Sequence, residues 1–325
     1  MSTKGTLTSI AAAMVVLIGS SSAASAFTKD EQKCIDGYNN KLRLVSAQAG
    51  KSARACVKNA GKGAEPNAET CMQTNPDGKI AGKEGKVTEL FDVGGKCDPV
   101  PAQIVQGATA GNLAHREGIE DLAHDIFGAS ITAAVTSPGK DEAKCQDKAI
   151  QRSGQAFTEI MKAQRKCKKD AMKLLTVTDE ATLTATCSTY AQINASGKPG
   201  AKLAKLSADV AAACVAPVVI ATQFPGSCSG SATPAALGTC LEGKTRCRAC
   251  ETLNEADGAS ADCDLFDDGL ANASCGGCPI APGAYTITQL AGGTLSVSIF
   301  PAFPFPAGGS IVQDVAAATL PNCVH

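Results

Sequence analysis

Tryptophan is missing from this sequence, tyrosine and histidine occur three times each, and phenylalanine nine times. Aromatic side chains dominate burial in most cores, so this interior is expected to be built from Ala, Leu, Val and Ile. Scarce histidine restricts acid–base and metal chemistry, and no HExxH signature is present. The two CxxC pairs, Cys247-Arg248-Ala249-Cys250 and Cys275-Gly276-Gly277-Cys278, are followed by Glu251 and Pro279 rather than His, which excludes attached c-type haem. Charge of one sign is lacking as well: a net charge of −1 argues against a nucleic-acid partner. Beyond the first 26 residues no uncharged apolar run approaches the ~20 needed to span a bilayer.

What the chain has in quantity is cysteine: sixteen, all after residue 26. Residues 1–26 read as a signal peptide, with Lys4, an apolar stretch over 10–18 and Ala24-Ser25-Ala26 as a small-residue cleavage site. An even cysteine count behind such a leader implies an oxidising compartment and a disulfide framework. The expected location is secreted, periplasmic or at the cell surface, with no transmembrane segment once the leader is removed.

The cysteines repeat. Cys34 and Cys56 enclose 21 residues, and so do Cys145 and Cys167. An offset of 22 turns a helix by ~2200°, about 40° past six revolutions, so each pair marks one face of a long helix, with its cysteines roughly 33 Å apart, one near each end. Cys34, Tyr38, Val45, Ala49 and Cys56 form the first stripe, and Cys145, Ala149, Ala156, Ile160, Ala163 and Cys167 the second. Successive cysteine spacings are 22, 15 and 26 in residues 27–98, and 22, 20 and 27 in residues 140–222. Matched cysteines with matched Gly/Pro breakers indicate an internal duplication. In both copies the inner and outer pairs share nearly the same midpoint, as rungs of an antiparallel helical hairpin would. The spacing therefore predicts Cys34–Cys97 with Cys56–Cys71, and Cys145–Cys214 with Cys167–Cys187, although four cysteines allow three connectivities.

Residues 99–139 are expected to be a linker carrying an amphipathic helix over 119–134, with Gly128 as its weak point. Residues 140–214 hold 13 Lys plus Arg against 8 Asp plus Glu, densest at Arg165, Lys166, Lys168 and Lys169. Such a stretch is either a solvated face or a site for an anionic surface or polymer. Residues 223–280 are expected to be an acidic, Cys-rich irregular segment. From 281 to 325 alternating residues and Gly292-Gly293 suggest a small antiparallel β region, incomplete as given because three short strands barely make a sheet. The fold class expected is mainly α: two disulfide-stapled antiparallel hairpins, the Cys-rich segment and this β region.

Three groups of residues carry candidate chemistry. Asp257, Asp262, Asp264, Asp267 and Asp268 crowd around Cys263, and this many carboxylates in one cross-linked loop repel unless neutralised, which suggests calcium. The alternative is that they cap turns and face solvent. The CxxC pairs suit disulfides in an oxidising compartment, with a Cys₄ zinc site as the alternative. His115, Glu120 and His124 could ligate a metal between them. The segment TCLEGKTRCRACETLNEADGASADCDLFDDGLANASC and the helical stretch AKCQDKAIQRSGQAFTEIMKAQRKCKKDAMK resemble stretches of uncharacterised secreted Cys-rich proteins of environmental bacteria. The resemblance implies a secreted, disulfide-bonded protein and no activity. Three functions are consistent with these residues. The first is a non-enzymatic extracytoplasmic structural or binding protein without a cofactor. The second is a calcium-dependent adhesion or matrix module, presenting Phe300, Phe303 and Phe305 to a partner. The third is a metal- or thiol-dependent enzyme.

Overall fold

The structure, a computed structural model, describes residues 27–275 apart from 76, 102–103, 105, 136–138, 175, 271 and 273, and beyond them only the backbone of four short stretches. The expected leader, Cys278, Cys323 and the Phe300–Phe305 motif's side chains lie outside the described residues. In chain order the helices are α1 (Lys29–Ala60), α2 (Ala68–Thr74), α3 (Lys79–Thr88), α4 (Ala108–Phe127), α5 (Ile131–Val135) and α6 (Lys140–Ala171). They continue with α7 (Glu180–Thr186), α8 (Tyr190–Ile193), α9 (Lys198–Ala213), α10 (Ile220–Gln223), α11 (Pro234–Asp257) and α12 (Cys263–Asp267).

Local chemistry sets the helix ends. At the start of α1, the Thr28 hydroxyl accepts from the Glu31 N–H while Glu31 Oε2 accepts from the Thr28 N–H, a reciprocal capping box. Asp30 and Glu31 in the first turn and Lys58 in the last complement the helix dipole. The helix expected over 119–134 begins earlier, at Ala108, and breaks where expected: Gly128 has φ +80° and separates α4 from α5.

The two long helices are stapled to their partners as nested rungs. Cys34 is bonded to Cys97 and Cys56 to Cys71, tying α1 to α2 and to the loop after α3; Cys145 is bonded to Cys214 and Cys167 to Cys187, tying α6 to the ends of α9 and α7. The returning rails are broken helices rather than single ones, because Asn75 and Gly78 adopt left-handed conformations in the first copy and Gly197 does in the second.

The hairpins pack through α1 and α6. An ideal Cβ on Gly50 would sit 3.7 Å from the Gly154 Cα, so the backbones approach closely there. The contact is reciprocal. Arg54 bonds Asp147 with Nε–Oδ1 at 2.7 Å, and Arg165 bonds Asp36 with Nη2–Oδ2 at 2.9 Å. Each arginine lies 20 residues after its copy's first cysteine and each aspartate two after it, so α1 and α6 cross antiparallel and exchange equivalent ion pairs.

Two expectations need correcting. The described part of residues 223–280 is not irregular: α11 runs for 24 residues and packs on α4, α6 and α9. Thr233 caps it through the Ala236 N–H, Pro234 occupies its first turn, and Gly258 at φ +64° ends it. Its approach to α9 is close enough that a Cβ on Gly238 would meet Ser207 Cα at 2.8 Å. The core is also not purely aliphatic. Phe127, Phe157 and Phe224 are among the largest fully buried side chains, and Phe127 stacks on Phe224 with ring centroids 5.9 Å apart.

The C-terminal β region is not supported as a unit. Its described backbone comprises two separate two-stranded pairs, Gly283–Thr288 with Ser310–Val315 and Gly293–Leu295 with Phe303–Phe305. Two-stranded ribbons are marginal in water without further packing.

Candidate functional site

The polar groups of interest fall in four places, three of them holding residues singled out in the sequence. The first is the interior. Lys168, on the buried side of α6, bonds Asp257 at the end of α11 with Nζ–Oδ2 at 2.5 Å, and their side chains are only 7% and 14% exposed. Asp257 is thus committed to an ammonium instead of the acidic loop. Asp257 borders a pocket lined also by Gln164, Cys187, Cys250, Asn254 and Phe266 among others, with room for about one water rather than a metabolite. Gln164 Oε1 is buried beside it without a partner.

His115 belongs to the same interior. Its Nδ1 is 2.7 Å from Ser46 Oγ, which also donates to the His115 carbonyl at 3.1 Å. Burial, reinforced by the Lys168 charge, pulls its imidazole down to about 3, so it is neutral at physiological pH. His124 lies elsewhere, half-buried, with Nδ1 3.0 Å from the Gly128 carbonyl and Nε2 3.8 Å from Glu69. Nine residues at ~100° each place the two histidines on opposite faces of α4. The structure therefore does not bring His115 together with Glu120 and His124; only the latter two share a side.

The second place, which sequence reasoning missed, is the contact between α4 and α11. One guanidinium, Arg248, bonds Asp125 at 2.6 Å, Glu251 at 2.8 Å and Asp121 at 3.5 Å. Glu117 and Glu255 add charge to the same group. Burial first, then Asp121, Glu251 and Glu117, push the Glu255 carboxyl up to about 7, with Arg248 opposing. Glutamate in an unfolded chain titrates near ~4.3. The folded chain therefore holds an extra proton between these values, and the resulting stability is full below the lower one and lost as pH rises through about 7. Buried His115 acts with the opposite sign, but only below its unfolded value of ~6.5. Melting curves from about pH 5 to 7.5 should show the wild-type Tm falling relative to Glu255→Gln, in which the His115 contribution is the same; parallel curves would contradict the assignment.

The third place is the acidic loop. Asp262 caps α12, accepting from the N–H groups of Asp264 and Leu265. Asp268 accepts from the Leu270 N–H and from Asn272 Nδ2, each at 2.8 Å. Asp264 and Asp267 converge on one hydroxyl, with Ser274 Oγ 3.1 Å from Asp264 Oδ1 and 2.8 Å from Asp267 Oδ2. Of the five aspartates named from the sequence, the structure brings Asp264 and Asp267 together on Ser274 and employs the other three in caps, turns or the interior pair.

The CxxC cysteines take separate partners: Cys247 bonds Cys275 and Cys250 bonds Cys263, while Cys228 bonds Cys240. A dithiol–disulfide couple within Cys247–Cys250 is thereby excluded, as is a Cys₄ site using both. Cys247, Asp267 and Cys275 do place potential ligand atoms within 4.8 Å of one another, but the two sulfurs are bonded to each other.

The fourth place is the basic stretch of α6. Lys166 bonds Asp170, Lys169 and Arg165 bond Asp36, and Lys168 is internal. Each cation of the cluster has a carboxylate partner, which reduces what it offers to an external anion. No described helix is long and apolar enough to cross a membrane.

Fold and sites together define a disulfide-stapled, duplicated helical protein. Comparison with known proteins finds no matching family model, no matching curated protein and no matching solved structure.

Proposed function

We propose that this chain is an extracytoplasmic, non-enzymatic structural or binding protein, exported through its N-terminal leader and matured by oxidation. The observation that carries this reading is the set of seven disulfides, which use fourteen cysteines and leave no free thiol among the described residues. Such density belongs to oxidising compartments. The residue types that would serve catalysis also have internal duties: His115 bonds Ser46, Lys168 bonds Asp257, and Arg248 clasps α4 to α11. A rigid, cross-linked body of this kind suits an envelope or matrix component that must persist outside the cell's quality control.

Fractionation of cells expressing the full chain, with iodoacetamide labelling of the native protein, tests this reading. The expected product is extracytoplasmic, lacks its leader by intact mass, and takes up no label. A cytoplasmic, thiol-reactive product would overturn it.

A further inference from the structure

Among the described residues no cation pairs with the Asp267 carboxylate. Its residue is 3% exposed, and Oδ1 has no hydrogen-bond partner. Oδ2 meets Ser274 Oγ, the same hydroxyl that contacts Asp264 Oδ1. A hydroxyl carries one proton, so it can donate to only one of these carboxylates, and Asp264 Oδ1 also accepts from the Cys275 N–H at 3.2 Å. The neighbouring cations are turned away. Lys244 Nζ donates to the Ser274 carbonyl at 2.7 Å, Arg246 Nη1 to the Asp267 carbonyl at 2.5 Å, and Arg246 Nη2 lies 3.6 Å from Glu242. An unpartnered carboxylate oxygen away from water is costly, and two carboxylates bridged by one hydroxyl repel unless positive charge lies between them.

We propose that Asp264, Asp267 and Ser274 form a hard-cation site whose occupant is calcium. The donors are all oxygen, two carboxylates and a hydroxyl, and calcium's flexible six- to eight-fold coordination can be completed by backbone carbonyls and water. The nearby sulfurs of Cys247 and Cys275 are locked in a disulfide and offer no thiolate to a softer metal. That bond and the Cys250–Cys263 bond fix α12 and Ser274 against α11, so the donors are held in place before the ion arrives. Extracellular modules bind calcium with Kd of about 10⁻⁴–10⁻³ M, within reach of an ion that is abundant outside cells. The site does not depend on the chain's role in the envelope. A proton is the competing way to neutralise the pair: burial pushes the Asp267 carboxyl up and the Asp268 and Asp264 charges push the same way, against hydrogen bonds from the Ser274 hydroxyl and the Asp268 backbone N–H.

The test is thermal unfolding of the oxidised, full-length protein in EDTA and in calcium chloride up to about 10 mM, near pH 7.5. At ten times its Kd calcium should raise Tm by about 3–6 °C. Asp267→Asn should lose the response, and with EDTA it should melt no lower than wild type, since it removes an uncompensated charge. Asp264→Asn, at a partly exposed position, should lose the response too and serves if the first variant does not fold. A wild-type Tm indifferent to calcium, whether or not it rises on acidification, overturns the site, as does an undiminished calcium response in either folded variant.

Discussion

Asp257→Ala should be among the most destabilising single substitutions in the chain. It strands the Lys168 ammonium, 7% exposed, on the buried side of α6. Removing one partner of a buried ion pair costs about 3–5 kcal/mol, mostly from desolvated charge left behind. At ~2–4 °C per kcal/mol for a chain of this order, Tm should fall by roughly 6–20 °C. Lys168→Met combined with Asp257→Leu should recover most of that loss, because two apolar groups of similar volume make no demand for charge compensation. Calorimetry of the single and double variants decides the matter. A single variant within about 1 kcal/mol of wild type would show that the pair is solvated.

Cys145→Ser with Cys214→Ser should produce the second large loss. This bridge closes a separation of 69 residues, against 12 for Cys228–Cys240. In the chain-entropy account the longer loop is worth about 4 kcal/mol and the shorter about 3. The gap between them is small, but the longer bridge also anchors α9, which packs on both α6 and α11. Denaturant midpoints of the two double-serine variants should rank with the 145–214 variant less stable, and the reverse order would place the stabilisation in local strain relief rather than loop closure.

Much of this architecture is legible in the residues. The 22-residue cysteine offset places both cysteines on one face of α1 and of α6, each of which runs for 32 residues, and nested midpoints match the bonds that join them to their returning rails. The α11 helix is harder to see, for a physical reason. It packs on α4, α6 and α9, so it buries Leu237 and Leu241 together with Thr245, Ala249 and Thr252. A helix covered on several sides loses the one-sided apolar stripe by which a helix is recognised, and dense cysteines were the more visible feature. The separations of Cys240, Cys247 and Cys250, seven and three residues, were the helical signal available. The Arg248 clasp was out of reach, since two of its carboxylates, Asp121 and Asp125, come from α4, more than a hundred residues away, and only Glu251 lies on its own helix. The Asp264–Asp267 convergence was half visible: the crowding showed in the sequence, but the shared Ser274 hydroxyl that singles out two of five aspartates did not.

The exchange of Arg54–Asp147 for Arg165–Asp36 has a consequence for how such a chain can arise and change. A contact in which position i of one unit meets j of the other, and j meets i, is the isologous interface of a two-fold homodimer. Here both protomers lie in one polypeptide, so the dyad is only approximate and its mates are permanently tethered at high effective concentration. Once tethered, the halves no longer need to remain identical. One half can accumulate basic residues and take on α11 as a third layer, while the other keeps the plainer hairpin. The Cys-x-Asp…Arg-x-Cys spacing, present at 34–56 and again at 145–167, supplies both halves of that self-complementary face.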